Sequence, residues 1–531
     1  MNILFNTTSS FSINVQIIEN IISNIKPSKS YLIVESAEDL HKNAEENNLL
    51  KFKEKFNTEF IDRTPFMQTF IDDEILNACK PIDAELLNKM SKYEAVIFSQ
   101  LQRIDCKFRD FYLMYERYIS ILKFWNNFLE ENSIDYFVAN NCPHEGFDYI
   151  IYCLCKIKGI KTLFSYQSPI TSQIYFLQDI EEGCLGLEQK VKEYELKYKD
   201  VGLEEIPLDE TSKEVINKYF SKEDTTPFYM KKEKKNIKFF INKFKYFVKK
   251  VFLNIKNGVF IKNIKFKINK NSKLRRPYKK IIKFYNKLAI KNIVNDGKTE
   301  KFIYLPLHYQ PECTSNPLGS RYENQEFMIQ MISAALPEGY YLYVKEHPKQ
   351  DSNIYRSKKF FNRINKLKNV RLVATNVKTE ILTEHCVATA TLTGTAAWES
   401  IFNLKPVLLF GNFCYQYSKG VFKIKANQDL KDAIQNIVGG NCLTKKDVIL
   451  FVKALSDCSK EGYVDEYYKS LIRVSFEQAV ENISEGFIEV IKRNMWIFSF
   501  LRCDILSAPV FYLQIWYRFR PKVEQFSVFF H

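Results

Sequence analysis

Four short runs gather the side chains best suited to chemistry. In Leu305-Pro-Leu-His-Tyr-Gln-Pro-Glu312 the residues His308, Gln310 and Glu312 alternate with others, so an extended backbone turns them to one side. The alternative for this run is a turn that caps the next helix. In Lys345-Glu-His-Pro348 the proline keeps His347 extended at the end of an apolar run. An ammonium and an imidazole placed there can donate to a diphosphate or a carboxylate, or steady a leaving phosphate. In Thr391-Leu-Thr-Gly-Thr-Ala-Ala-Trp-Glu-Ser400, Thr393, Gly394 and Thr395 turn the chain into a helix. Hydroxyls and free backbone N–H groups at a helix N-terminus make an anion site. Glu399 follows one turn later, where a carboxylate accepts from ribose hydroxyls; its plainer role is a favourable acid near a helix start. The fourth run, Asn140-Asn-Cys-Pro-His-Glu-Gly-Phe-Asp148, holds His144, Glu145 and Asp148. With Glu312 these are candidates for a general base that takes a proton from an acceptor hydroxyl, and helix capping competes for Glu145 and Asp148.

Each run follows a segment that reads as a buried strand. Tyr31–Val34, Ala95–Phe98, Tyr136–Ala139 and Lys161–Phe164 are short apolar runs, with helical periodicity over 111–129 and 147–158. The alternation returns at Phe302–Leu305, Tyr341–Val344, Val370–Val373, Val387–Ala390 and Val407–Phe410. Strands alternating with helices predict parallel sheets covered on both faces, and such sheets bind ligands beyond the carboxyl ends of their strands. The fold class is therefore α/β: two facing, Rossmann-like, doubly wound domains with a basic helical insertion between them. The expected divisions are an acceptor-side domain over 1–180, a Lys-rich helical insertion over 181–299, a nucleotide-binding domain over 300–490 and an aromatic tail over 491–531.

Composition narrows the function classes. The 531 residues carry a formal charge of +15, and 46% are apolar, the balance of a folded chain and not of a disordered one. Residues 231–292 hold 22 Lys/Arg against the single acid Glu233, so the rest of the chain is mildly acidic. Within this segment Ile237, Phe240, Ile241, Phe244, Phe247, Val248, Val251 and Phe252 form one helical stripe opposite lysines. That pattern suits an anionic membrane surface, with packing against the protein as the alternative. The aromatics follow the stripe, so nucleic acid is not an expected partner. The twelve cysteines include no C-x-x-C pair, and Cys142, Cys153, Cys155 and Cys386 lie in apolar surroundings, which predicts buried thiols in a reducing compartment and no metal site. No signal peptide is legible at the start, and the most apolar stretch, Met495 to Tyr517, is broken by Arg502, Asp504 and Pro509. The expected location is cytoplasmic, peripheral on the inner face of the cell membrane.

Together the runs resemble bacterial capsule polysaccharide biosynthesis proteins, a group that includes the β-Kdo transferases of capsule export and has the GT-B fold. The resemblance rests on Tyr304 to Glu312, Lys345 to Pro348, Leu392 to Ile401 with Lys405-Pro-Val-Leu-Leu-Phe-Gly411, and Pro143-His-Glu-Gly-Phe-Asp-Tyr-Ile150. It implies a glycosyltransferase acting on a capsular polysaccharide or its lipid-linked primer. The nucleotide-sugar donor is then held by the second domain, the glycan or glycolipid acceptor by the first, and no cofactor is needed. His308, Gln310, Lys345, His347, Thr393, Gly394, Thr395 and Glu399 become donor-binding residues. Lys345 and His347 suit a charged CMP-sugar, with a UDP-sugar as the other choice. Two positions depart from the pattern of retaining relatives: Thr391 replaces a glutamate eight residues before Glu399, and Leu404 replaces a glycine. The first points to an inverting reaction. The alternatives are a CDP-glycerol or ribitol-type phosphotransferase and a non-catalytic, membrane-docked scaffold.

Overall fold

A computed structural model of the chain describes residues 1–7, 11–34, 52–67, 70–104, 110–221, 278–293, 300–350, 356–440 and 443–503. The amphipathic stripe of 237–252 and the tail beyond 503 lie outside them.

Two sheets organise these residues. The first runs β3 (Thr58–Asp62), β2 (Lys29–Val34), β1 (Asn2–Asn6), β4 (Ile134–Ala139), β5 (Lys161–Gln167), β6 (Gln173–Leu177) and β13 (Ser459–Glu461). The second runs β9 (Val370–Val373), β8 (Tyr340–Lys345), β7 (Lys301–Pro306), β10 (Ala388–Thr391), β11 (Val407–Leu409) and β12 (Val421–Lys423). Every pairing in the second sheet is parallel. The first is parallel from β3 to β5, and then antiparallel. In both sheets the first strand has the second on one side and the fourth on the other, so chain direction across the sheet reverses at β1/β4 and at β7/β10. Such a reversal opens a crevice at the strand ends. This is the doubly wound α/β, GT-B-like class read from the sequence. The strands are short apolar runs because both faces are covered: Ile3–Phe5, Tyr31–Val34, Phe302–Leu305 and Val407–Leu409 are all buried.

The lobes share packing. Trp398 and Phe402, from the helix Thr395–Phe402, join the apolar cluster of the first lobe, with Tyr219 stacked 4.6 Å from Phe402. Phe413 meets Tyr166 and Tyr175 of the first sheet at 6.0 and 6.4 Å, and Gln416 Nε2 donates to the Glu182 carbonyl at 2.9 Å.

Several expectations need correction. Ala95–Phe98 is helical, inside the helix Ala84–Ile104. Met90, Tyr93, Ile97 and Leu101 form its buried stripe at spacings of three and four, and the apolar run merely crosses that stripe. Strands β1, β3, β6, β12 and β13 went unread; β3, with the sequence TEFID, is a polar edge strand. Residues expected within 300–490 divide between the sheets: β13 pairs with β6, and the helix Phe476–Cys503 shares an apolar cluster with the helix Phe11–Ile25. The helical residues 278–288 pack on the second sheet through Ile281 and Tyr285, so part of the expected insertion serves that lobe.

Candidate active site

The crevice of the second sheet lies between the ends of β7 and β10. Thr391, the last residue of β10, accepts the Gly394 N–H through Oγ1 at 3.0 Å and lies 2.9 Å from His308 Nε2. That oxygen keeps a second lone pair and its proton, so its role toward His308 is set by what the ring nitrogen does. The Thr393 N–H donates to that nitrogen, at 3.4 Å. Nε2 is thus an acceptor, and the neutral ring carries its proton on Nδ1. Burial pushes the His308 pKa down to about 3, with His347 and Arg356 adding to the effect. A Cβ on Gly394 would come within 2.9 Å of Thr391 Oγ1 and 3.3 Å of His308 Nε2, so the close turn requires glycine. Thr395, exposed, opens the helix that follows, and its N-terminus is the end that favours an anion. Thr393 Oγ1 donates to the Thr314 carbonyl at 2.6 Å and ties this turn to the run through Glu312.

The loop after β8 flanks this turn. The His347 ring stands edge-on to Tyr309 at 5.5 Å. Its Nδ1 accepts the Lys349 N–H at 3.2 Å, which leaves Nε2–H as a donor. Burial, then Arg356 and Lys345, lowers its pKa to about 4. Lys345 donates to Thr379 Oγ1 at 3.2 Å, and burial lowers its pKa to about 8 against the pull of Glu380 and Glu399. Glu399 is raised to about 7 by burial and then by Glu380, with Lys345 opposing. The neighbouring Glu346 turns inward instead: it pairs with Arg356 at 2.7 Å, and Arg356 Nη2 donates to the His308 carbonyl at 3.0 Å and to Gln310 Oε1 at 2.9 Å.

The β4 loop of the first lobe meets these segments through Arg103, which donates to the His144 carbonyl and whose charge bears on Glu312 and Glu145 alike. Asp148 is committed to the backbone: it accepts from the N–H groups of His144 at 3.0 Å and Glu145 at 2.7 Å. Glu145 pairs with Arg63 at 3.0 Å. His144 Nδ1 lies 2.7 Å from the Cys142 carbonyl, so that nitrogen carries the proton and Nε2 presents a lone pair. The Glu312 carboxylate accepts from the Thr314 hydroxyl at 3.2 Å, and burial raises its pKa. A buried chain joins the lobes behind this point. Gly146 N–H donates to Gln100 Oε1 at 2.8 Å, Gln100 Nε2 to Asn316 Oδ1 at 2.8 Å, and Asn316 Nδ2 to Glu323 Oε2 at 2.7 Å.

Contacts link the four runs singled out in the sequence: His308 meets Thr391 and Thr393, Thr393 holds Thr314 beside Glu312, the His347 charge bears on His308, and Arg103 joins His144 to Glu312 and Glu145. Sequence reasoning missed Arg63, Arg103, Gln100 and Arg356. None sits in a motif, and Arg103 ends the helix that was misread as a strand. Among the described residues, no group of three or more His, Cys, Asp or Glu side chains is arranged to hold a metal, and no helix is long and apolar enough to cross a membrane.

Comparison with known proteins gives the following. No curated protein matches the sequence. Among solved structures, KpsC β-Kdo 2,7 transferase from Thermosulfurimonas dismutans aligns at 9% identity and a TM-score of 0.31, covering 76% of this chain and 97% of its own. UDP-GlcNAc 2-epimerase from Methanocaldococcus jannaschii aligns at 10% identity and a TM-score of 0.24, covering 86% and 100%. Superpositions this loose carry no argument about chemistry. Over residues 261–428 the chain matches the model of the capsule polysaccharide biosynthesis protein family, the family that its motifs resemble.

Proposed function

We propose that this protein is a glycosyltransferase that moves a sugar from a nucleotide-sugar to a capsular polysaccharide or its lipid-linked primer. The observation that supports this reading is that the strand-end loops of both sheets are linked through Arg103, which donates to the His144 carbonyl and whose charge bears on Glu312, next to the His308, Thr391 and Gly394 turn. The donor phosphate lies against the Thr393–Thr395 turn and His347, whose Nε2–H donates to it. Glu399 accepts from the ribose, and Lys345 offsets negative charge on the donor. The acceptor hydroxyl enters from the first lobe. Of the four candidates His144 serves best as the base, since its tautomer is fixed with Nε2 open. Asp148 is committed to backbone N–H groups and Glu145 to Arg63. Thr391 stands where retaining relatives carry a glutamate, which favours direct displacement with inversion. The basic segment 231–292 keeps the enzyme at the inner face of the membrane.

The test is calorimetry and product analysis with a panel of CMP-, UDP- and GDP-sugars and CDP-glycerol. At least one nucleotide-sugar is bound and turned over, and His347→Ala weakens its binding. A protein that touches none of them, or that turns over CDP-glycerol alone, is not the enzyme described here.

A further inference from the structure

A second recess lies on the face of the sheet away from Lys345 and Glu399. Its volume is about 240 Å³, and Gln310, Glu323, Asn324, Gln325, Arg356 and Phe360 line it. It is open to solvent on one side and large enough to seat one monosaccharide ring. We propose that it is a subsite for a neutral, hydroxyl-rich sugar ring, an inference that rests on the glycosyltransferase reading above.

The first support is an unpaired donor. Gln325 is 2% exposed, and its Oε1 accepts the His308 N–H at 2.8 Å. A backbone N–H can only donate, so the amide is fixed with Nε2 as the remaining group, and Nε2 has no partner. Buried amide donors left unpaired are rare and call for an explanation. The second support is charge. Three donor contacts of Arg356 are already committed, to Glu346, the His308 carbonyl and Gln310. Glu323 accepts from Ser99 at 2.6 Å and from Asn316 at 2.7 Å. A phosphate or sugar carboxylate entering the recess meets the Glu323 carboxyl group and a guanidinium whose charge is already paired with Glu346 and three of whose five N–H groups are committed. Hydroxyls, which both donate and accept, suit an amide beside a carboxylate. The third support is Phe360, whose ring gives the recess an apolar wall such as the carbon face of a sugar packs against. Position agrees. Ser99 belongs to the first lobe, so the recess opens where the lobes meet, and Gln310 belongs to the run that begins at His308. The ring that fills it comes from the donor sugar or from the acceptor glycan.

Saturation-transfer NMR on the full chain tests this with methyl glycosides of neutral hexoses and N-acetylhexosamines as probes. Sialic acid and Kdo serve as acidic comparators. A neutral glycoside receives saturation and the acidic sugars do not. Displacement of the glycoside by a nucleotide-sugar but not by its free nucleotide assigns the ring to the donor; retention in the presence of both assigns it to the acceptor. Gln325→Glu keeps the acceptor for His308 N–H but removes the donor, and Phe360→Leu keeps apolar volume but removes the ring. Each lowers glycoside affinity about fivefold or more, the worth of one hydrogen bond or apolar contact. Neutral glycosides that fail to bind, acidic sugars that bind as well, or a folded Phe360→Leu protein with unchanged affinity overturn the subsite. Nucleotide binding measured on the same samples keeps the two readings apart. Nucleotide bound without glycoside sinks the subsite alone, whereas no nucleotide bound sinks the transferase reading.

Discussion

The two sheets are wound in the same order, yet their switch points differ in chemistry. At the end of β7 and β10 stand a neutral imidazole, threonine hydroxyls and the N-terminus of a helix, drawn together by contacts of 2.9 and 3.0 Å. At the end of β1 and β4 stand amides and charged groups already paired: Asn140 Nδ2 donates to Asn14 Oδ1 at 2.9 Å, Glu145 meets Arg63, and Asp148 holds two N–H groups. In the proposed reading the first arrangement takes the donor phosphate: the Thr393 and Gly394 N–H groups are spent inside the turn, and exposed Thr395 at the helix start and the His347 Nε2–H are left to donate. The second suits an uncharged acceptor that must be oriented and deprotonated. One winding rule thus ends in two unlike loop clusters, and the loop residues set the chemistry of each.

The comparison can be broken from either side, and the largest effect is expected on the acceptor side. His144→Gln removes the proposed base and lowers kcat by about 10²–10⁴-fold, with donor affinity intact by calorimetry. Glu312→Gln, on the opposite wall, lowers it far less. If the two variants exchange ranks, the base belongs to the second lobe. On the donor side, Gly394→Val forces atoms into the 2.9 Å approach to Thr391 Oγ1. Overpacking of this kind costs about 1–3 kcal/mol, read as a loss of roughly 5- to 150-fold in nucleotide affinity, while acceptor binding holds.

These two halves were not equally legible in the sequence. The second lobe announces itself because its chemistry is local: a strand, then a proline or glycine, then the functional group, as in Lys345 to Pro348 and Thr391 to Thr395. All five of its expected strands are present. The first lobe draws its charged groups from distant places. Arg63 follows the polar edge strand β3, and Gln100 and Arg103 lie on a helix whose buried stripe mimics a strand run. Nothing in sequence spacing brings residue 63 or 103 to residue 144; the parallel sheet does. Glu346 shows that a place in a motif is not a place in the site: it sits beside His347 but is buried against Arg356.

Smaller effects sharpen the picture. Gln100→Leu strands the Gly146 N–H and the Asn316 Oδ1 in a buried position (Gln100 is 1% exposed). It lowers stability by about 1–3 kcal/mol in urea unfolding. Undiminished stability removes Gln100 as a link between the lobes. The buried imidazoles and the buried carboxyl groups answer acid with opposite sign. His308 and His347 titrate near 3 and 4 when folded, against 6.5 in the open chain. Below pH 6.5 the unfolded state therefore binds the extra protons, and their contribution to stability falls as pH drops toward 4. Glu145 and Asp148, raised chiefly by burial, contribute stability that is fully present at acid pH and is lost as pH rises through their folded values. A His308→Asn, His347→Asn protein therefore loses less melting temperature between pH 6.5 and 5 than the parent. An equal loss contradicts the buried, neutral state of both rings.

The most direct measurement of the central claim is a crystal structure with UDP or CMP bound. The account predicts phosphate oxygens within hydrogen-bonding distance of the Thr393–Thr395 turn and His347, on the wall facing His144. A nucleotide seated instead at the ends of β1 and β4, against Asn14 and Asn140, contradicts it.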